Sequence, residues 1–195
     1  RRLDEALALY QGVLAQRGAP CAEVGKARAL AADGDEETAK AHLQRALEAY
    51  PNYLAAYDSL AGLLERTDKG AAQEVVERAL GVAPSTRRQR QLGALAMDNR
   101  DFVRAEEAFR RAVERDRTGF FKAHDDYAGL AKSCAEQGKF DQALAAVREM
   151  GQSFRSSTDL KVRQAAVESL VQVKAGRPDV ARQALERALA AGGEG

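Results

Sequence analysis

Residues 57–84 have the sequence YDSLAGLLERTDKGAAQEVVERALGVAP, and this stretch decides the fold. Leu60 and Ala61 precede Ala72 by twelve and eleven residues, and Pro84 follows Ala72 by twelve. Small or apolar residues also follow Ala72 at offsets of four and seven, which lie on one face of an α-helix and not on one face of a strand. We therefore interpret the stretch as two helices that are joined by a turn and ended by proline.

The same pattern recurs along nearly the whole chain. Alanine occupies positions 6, 39, 72 and 105, in steps of 33, and the series continues after steps of 38 at positions 143 and 181. A larger apolar residue follows each alanine by four positions: Tyr10, Leu43, Val76, Phe109, Val147 and Leu185. A fixed period of about 20 to 50 residues is typical of repeat architectures. We call this series the alanine ladder and place each rung on the second helix of a two-helix unit.

The residues before each rung predict the turn and the packing of a unit. Turn residues precede four of the rungs by four to six positions: Gly34, Asn99, Gly138 and Gly176. Glycine or asparagine suits the left-handed residue that ends many helices. Small residues on the first helices, such as Gly93, are expected to let two helices approach closely, while the larger ladder residues fill the adjacent space.

These residues resemble the tetratricopeptide repeat family. The shared pattern is small residues at two close-packing positions, a glycine turn, an aromatic or aliphatic residue, alanine and then proline, and it is clearest in residues 57–84 and 91–112. No repeat has the family's early tryptophan, and Tyr57 and Tyr127 replace it in two repeats. The resemblance implies an all-α fold, an α-α superhelix or solenoid of about five and a half helix-turn-helix repeats.

The expected organisation is a single array over residues 1–195. It begins with an orphan second helix at 1–16 and continues with helix pairs at about 21–50, 53–82, 85–116, 120–153 and 157–191. Because the chain starts without methionine and inside a repeat, we interpret it as a fragment of a longer protein from which an upstream domain has been removed.

Composition favours none of the charge-driven partners. The chain is 45% hydrophobic and 30% charged with a net charge of +1, so neither nucleic acid nor an anionic membrane is expected to bind. No window approaches about 18 consecutive apolar residues, so membrane insertion is not expected. Cys21 and Cys134 lie on first helices three repeats apart, which argues against a disulfide, and Cys134 is expected in the core. Unpaired thiols suit a cytoplasmic location, with the periplasm as the alternative.

The sequence shows no constellation of catalytic or metal-binding residues. His42 and His124 each lack a second histidine or cysteine four residues further on, and no glycine-rich phosphate loop occurs. The serines at 153–157 have no histidine nearby in the repeat order. The acidic run at 33–37 lacks the ligand spacing of a calcium loop and is interpreted as the first turn of a helix. We expect a protein that is not an enzyme and has no metal and no cofactor.

The family resemblance implies that the first helices line a concave surface for a protein or peptide partner. At spacing i, i+4, i+7 this stripe, which in the fourth pair consists of Ala128, Lys132 and Ala135, is mostly small or apolar with isolated charges of both signs. Such a surface suits an extended peptide or a partner helix. Arg87 and Arg90 are expected at one edge, where they would hold a carboxylate bidentately. The candidate partner-binding residues are Arg28, Asp58, Glu65, Arg87, Arg90, Met97, Lys132 and Leu170.

Two alternatives to this binding surface stay open. The small residues of the stripe would also serve a purely structural purpose, by permitting tight superhelical curvature. The family's carboxylate clamp, which holds chaperone C-termini, is not expected, because Val24, Asp58 and Gly62 stand at the matching places.

Two stretches resemble a narrower bacterial group. Residues 87–112 and 118–132 are similar to the repeat region of two-component response regulators, in which a receiver domain precedes the repeats. This implies a non-catalytic protein-interaction scaffold that is the output module of a bacterial phosphorelay response regulator, with the phosphorylated aspartate upstream. The alternatives are an assembly factor for secretion, pilus or cell-envelope machinery, and the regulatory arm of an enzyme whose catalytic domain lies elsewhere. The oligomeric state stays open.

Overall fold

The structure of the chain is a computed structural model that describes residues 2–17, 19–117, 123–153 and 158–192. Every regular element in these ranges is an α-helix, and no strand occurs in them. The helices are α1 (Arg2–Arg17), α2 (Pro20–Asp33), α3 (Glu36–Ala49), α4 (Leu54–Leu64), α5 (Lys69–Val82), α6 (Thr86–Asp98), α7 (Phe102–Arg117), α8 (His124–Glu136), α9 (Phe140–Ser153), α10 (Thr158–Lys174) and α11 (Pro178–Gly192).

The helices form two compact units, Arg1–Pro84 and Ser85–Gly195. Within each unit, consecutive helices pack against each other, and neighbouring first helices also touch: α2 contacts α4, and α8 contacts both α6 and α10. This is the packing of stacked helix-turn-helix repeats. The expectation that all repeats form one continuous array stays a prediction. Among the described helices, none is long and apolar enough to cross a bilayer.

In four of the five described helix pairs, all but α4 and α5, the turn contains a left-handed residue, and the sequence predicted its position in three of them. Gly34, Gly138 and Gly176 have φ values of 93°, 72° and 74°. The prediction for Asn99 was wrong, because its φ is −78° and the left-handed residue is Arg100, with φ of 60°. Helix α6 continues one residue further than the asparagine suggested. The turn is closed by a hydrogen bond that the Asp101 amide donates to the Ala96 carbonyl at 2.8 Å.

Glycines on the first helices make room for the large residues of the alanine ladder. The Phe109 ring lies against Gly93 of α6 and Gly129 of α8, and a Cβ atom would lie 2.8 Å from ring carbons at Gly93 and 2.5 Å at Gly129. These distances are well inside the ordinary carbon–carbon contact of about 3.5–4.0 Å. Tyr10 covers Gly25 of α2 in the same way. One bulky ring therefore fills the space that missing side chains leave on its neighbours.

The prediction that Cys134 belongs to the core is confirmed. Its side chain is 1% exposed and packs in one hydrophobic cluster with Tyr127, Val147 and Met150. Burial, and secondarily the charge of Glu106, raises the pKa of the Cys134 thiol. Cys21 is exposed, and both cysteines are free thiols.

The contact between Phe109 and Gly129 predicts a specific loss of stability. Gly129→Ala should lower the free energy of unfolding by about 1–3 kcal/mol, because the new methyl group collides with a ring that is held on two sides. Gly62→Ala is the matched control: it lies in α4 with nothing near its Cβ position, so it should gain roughly 0.5 kcal/mol from helix propensity. Urea unfolding measures both changes. Phe109→Leu should cost less in the Gly129→Ala background than in the wild type, and equal costs would contradict the contact.

Candidate partner-binding face

Contacts between repeats fix how the first helices of the second unit are aligned. Lys174 Nζ donates to Glu136 Oε2 at 2.9 Å, and these residues stand 38 positions apart on α10 and α8. The alanine ladder advances by the same step through this unit. Residues 38 apart therefore occupy equivalent positions on neighbouring first helices. This alignment puts Ala94, Lys132 and Leu170 in one row across α6, α8 and α10, which we call the 94–132–170 row.

Helix α10 presents an aliphatic stripe to solvent. Leu170 is 39% exposed and Val173 is 56% exposed, and Ala166 is exposed one turn before them. The opposite side of the same helix is buried, with Val171 at 0%. A helix that packs with one face and leaves a second apolar face open is typical of an interaction surface.

Lys132 is an exposed cation in the same row. Within the described residues its ammonium makes no hydrogen bond or ion pair. Glu136 lies one turn further along α8, but its carboxylate accepts from Lys174. Arg87, at the start of α6, is likewise exposed and makes no such contact with the described part of the chain.

Arg90 makes a strong contact inside the protein. Its Nε and Nη2 donate to Oδ1 and Oδ2 of Asp126 at 2.6 Å and 2.8 Å, and the Asp126 side chain is fully buried. The two parallel donors that were expected to hold a partner's carboxylate are therefore already used, so this expectation needs correction. A partner-binding role for Arg90 stays a prediction. The sequence offered one signal, the acidic pair at the start of α8, but gave no reason to pair it with α6.

The other candidates lie in both units. In the first unit, Arg28 is exposed and its Nε donates to Ser59 Oγ at 3.0 Å, which joins α2 to α4. Asp58 and Glu65 are half-buried on α4, where Glu65 is the C-terminal cap. In the second unit, Met97 is half-buried and packs against the hydrophobic cluster.

Two small residues that were expected on the open stripe of α8 are buried instead. Ala128 is 8% exposed and Ala135 is 3% exposed. Helix α8 is flanked by α6 on one side and α10 on the other, so more of its surface is covered than a single-helix spacing argument allows. Lys132 is the stripe residue of α8 that reaches solvent, as the sequence predicted.

A second buried carboxylate connects α7 to the turn between α8 and α9. Glu106 is 8% exposed and accepts from Arg110 at 2.5 Å, Lys139 at 2.7 Å and Gln137 at 2.8 Å. Burial acts to raise the pKa of Glu106, but the three hydrogen bonds outweigh it and hold the pKa below its usual value. The carboxylate is therefore ionised at neutral pH and fastens consecutive helix pairs together.

The two histidines and the acidic run at 33–37 make contacts within one helix and between neighbouring helices. His42 is buried, and its Nδ1 lies 2.5 Å from Glu23 Oε2, which joins α3 to α2. His124 Nδ1 lies 3.0 Å from Asp125 Oδ1. Asp35 caps α3 by accepting from the Thr38 amide at 3.1 Å. In the described part of the chain, histidine, cysteine and carboxylate side chains do not come together in groups of three that would hold a metal.

Comparison with protein families identifies the repeat. Two family models with the description "Tetratricopeptide repeat" match the chain, one over residues 62–120 and 90–153 and the other over residues 24–53. Together they span more than half of the chain. No curated protein matches at a significant level.

Solved structures show the same fold at low sequence identity. YrrB, described as a TPR protein with an unusual peptide-binding site, is 16% identical with a TM-score of 0.71 over 92% of this chain and 90% of that one. MamA from Desulfovibrio magneticus RS-1 is 12% identical with a TM-score of 0.67, covering 94% and 93%. Naa15/Naa10 bound to HypK-THB is 19% identical with a TM-score of 0.70, covering 94% of this chain and 28% of that one. These similarities confirm the predicted fold class.

The pair of Arg90 and Asp126 predicts a strong effect on stability. Arg90→Met should lower the free energy of unfolding by about 3 kcal/mol, because a fully buried carboxylate loses its charged partner. Adding Asp126→Leu should recover most of the loss, since a well-packed apolar pair avoids the desolvation penalty. Arg87→Met, on the exposed side of α6, is the control and should change stability by less than about 0.5 kcal/mol. Urea unfolding of the four proteins measures this. Equal stability of the wild type and Arg90→Met would show that the pair does not form in solution.

Proposed function

This chain belongs to the tetratricopeptide repeat family, whose members are protein-interaction scaffolds, and we propose on that premise that it is a non-catalytic scaffold. It binds a protein partner through the open faces of its first helices. The observation that carries the proposal is the aliphatic stripe of α10, where Leu170 and Val173 face solvent while the opposite face of the helix packs in the core.

The energetics of this stripe favour a partner that covers it. Covering the exposed parts of Leu170 and Val173 would contribute about 1 kcal/mol each. YrrB has the same fold and is described as having an unusual peptide-binding site, which supports a peptide segment as the partner. In the first unit, the proposed partner contacts are Arg28, Asp58 and Glu65, and Arg28 keeps donors free beyond its bond to Ser59.

We further propose that the array is the output module of a bacterial response regulator. This finer proposal is supported by the resemblance of residues 87–112 and 118–132 to the repeat region of such regulators. In the intact protein, treatment with acetyl phosphate should change the amount of captured partner several-fold, and substitution of the phosphorylated aspartate should abolish that change. A coding sequence without a receiver domain upstream of Arg1 contradicts the proposal.

Removal of the aliphatic stripe should abolish partner capture without unfolding the protein. The test compares the wild type with a variant that carries Leu170→Ser and Val173→Ser, each used to capture proteins that are then identified by mass spectrometry. Both side chains are exposed, so we expect the thermal midpoint to change by only a few degrees, as circular dichroism would show. The variant should lose at least about 90% of the specifically captured partner, because two buried contacts of about 1 kcal/mol each correspond to roughly a thirtyfold change in affinity.

Leu189→Ser is the matched control for this experiment. Leu189 lies on α11 and is 66% exposed, so the change removes an exposed leucine of the same kind from outside the stripe. It should leave partner capture unchanged. Equal loss in the control and in the stripe variant would indicate non-specific apolar adsorption and would contradict the assignment of this face.

A further inference from the structure

The 94–132–170 row combines an aliphatic surface with a single unpaired cation. We propose that this row receives a peptide segment in which one internal aspartate or glutamate is flanked by aliphatic residues, with the carboxylate on Lys132 and the aliphatic side chains on Leu170 and Val173. The inference rests on the proposed function and specifies the chemistry of the partner at this one face.

Covering Lys132 with a partner has a free-energy cost. A partner that packs on Leu170 and Val173 also removes water from the ammonium group in the adjacent position of the same row. Burying a charge without a hydrogen-bonding partner is costly. In the described part of the protein this ammonium makes no hydrogen bond or ion pair, and Glu136, the carboxylate one turn away on α8, is held by Lys174. The partner must therefore bring the acceptor itself.

The cations around the stripe determine which charge the partner's acceptor should carry. Of the cations around the stripe, Lys174 is paired with Glu136 and Arg163 with Asp159 at 3.0 Å. One uncompensated positive charge among small and aliphatic neighbours matches one carboxylate. A doubly charged phosphate would need further free donors at the same place.

The carboxylate of the partner lies within the peptide segment rather than at its end. The aliphatic stripe continues on both sides of the level of Lys132, because Ala166 lies one turn before Leu170 on α10 and Val173 lies about one turn after it. A segment that covers the whole stripe passes Lys132 in both directions. The carboxylate therefore comes from a side chain of the segment and not from its C-terminus.

The test uses a defined pair of fluorescent peptides with blocked ends, Gly-Leu-Leu-Glu-Leu-Val-Gly and the same peptide with glutamine in place of glutamate. Fluorescence anisotropy with the full 195-residue chain should show five- to tenfold tighter binding of the glutamate peptide, roughly the range for one charge-assisted contact at a partly covered site. Lys132→Met should remove this preference and leave the affinity for the glutamine peptide within about twofold, because the aliphatic contact remains.

Two further variants separate this inference from the proposed function. Lys161→Met removes another exposed lysine from α10, on the side that faces Arg187 of α11, and should leave the preference for glutamate unchanged. Leu170→Ser should weaken both peptides to a similar extent. Circular dichroism of each variant reports that the fold is retained.

Each of the remaining outcomes overturns the inference. If both peptides bind equally, or if Lys161→Met loses the preference for glutamate as Lys132→Met does, Lys132 does not select a carboxylate. In that case, weaker binding of both peptides to Leu170→Ser still supports the proposed function. Tighter binding of a peptide that ends in a free carboxylate after the aliphatic residues assigns the site to a C-terminus. If neither peptide binds saturably up to about 1 mM, the row is not a peptide site. A dissociation constant of that size corresponds to a binding free energy of only about 4 kcal/mol.

Discussion

The close approach of the two helices in each pair is the constraint on which the rest of the structure depends. The rungs of the alanine ladder from the first complete pair to the fourth are all 0% exposed: Ala39, Ala72, Ala105 and Ala143. A side chain larger than a methyl group would force the helices apart. Because the pairs are held this tightly, neighbouring first helices also touch within each unit, and their outward-facing residues fall into rows. The 94–132–170 row exists only because this packing repeats with a constant step.

Local spacing was sufficient to predict the helices, most of their turns and the core position of Cys134. These features depend on residues within one helix pair, where the 3.6-residue period and the requirement for a left-handed residue act directly. The exposure of Lys132 and Leu170 agrees with the concave stripe that the family resemblance implied, read at spacing i, i+4, i+7.

Contacts between repeats could not be predicted in the same way. Arg90 and Asp126 are 36 residues apart, and the period shows only that their helices are neighbours. Whether a guanidinium reaches a carboxylate depends on side-chain rotamers and on burial that the chain reaches only when several repeats are stacked. The burial of Ala128 and Ala135 was missed for a related reason. Helix α8 is covered by neighbouring helices on two sides, whereas an argument from the spacing within one helix assumes that only one side is covered.

The structure also separates charges that hold the repeats together from charges that remain for a partner. Asp126 and Glu106 are buried carboxylates, and each is held by donors from another repeat: Asp126 by Arg90 of α6, and Glu106 by Lys139 of the turn between α8 and α9. Such pairs contribute less to net stability than their geometry suggests, but removal of one partner is costly, so they specify one alignment of the helices. Lys132 is different, because no described residue makes use of its charge. A cation that has no part in aligning the repeats is available to select a ligand.

Leu185 and Leu170 are both exposed in the second unit, but for different reasons. Leu185 is the ladder residue of α11 and is equivalent to Phe109 and Val147. Those two side chains are only 5% and 2% exposed, because they contact the following helix pair. Its 37% exposure follows from repeat geometry, because α10 is the only described helix that contacts α11. Leu170 is not a ladder residue, and its helix is already packed on α8, α9 and α11. The contacts of α10 with these helices do not require an aliphatic side chain at this exposed position, and the proposed partner-binding face would account for it.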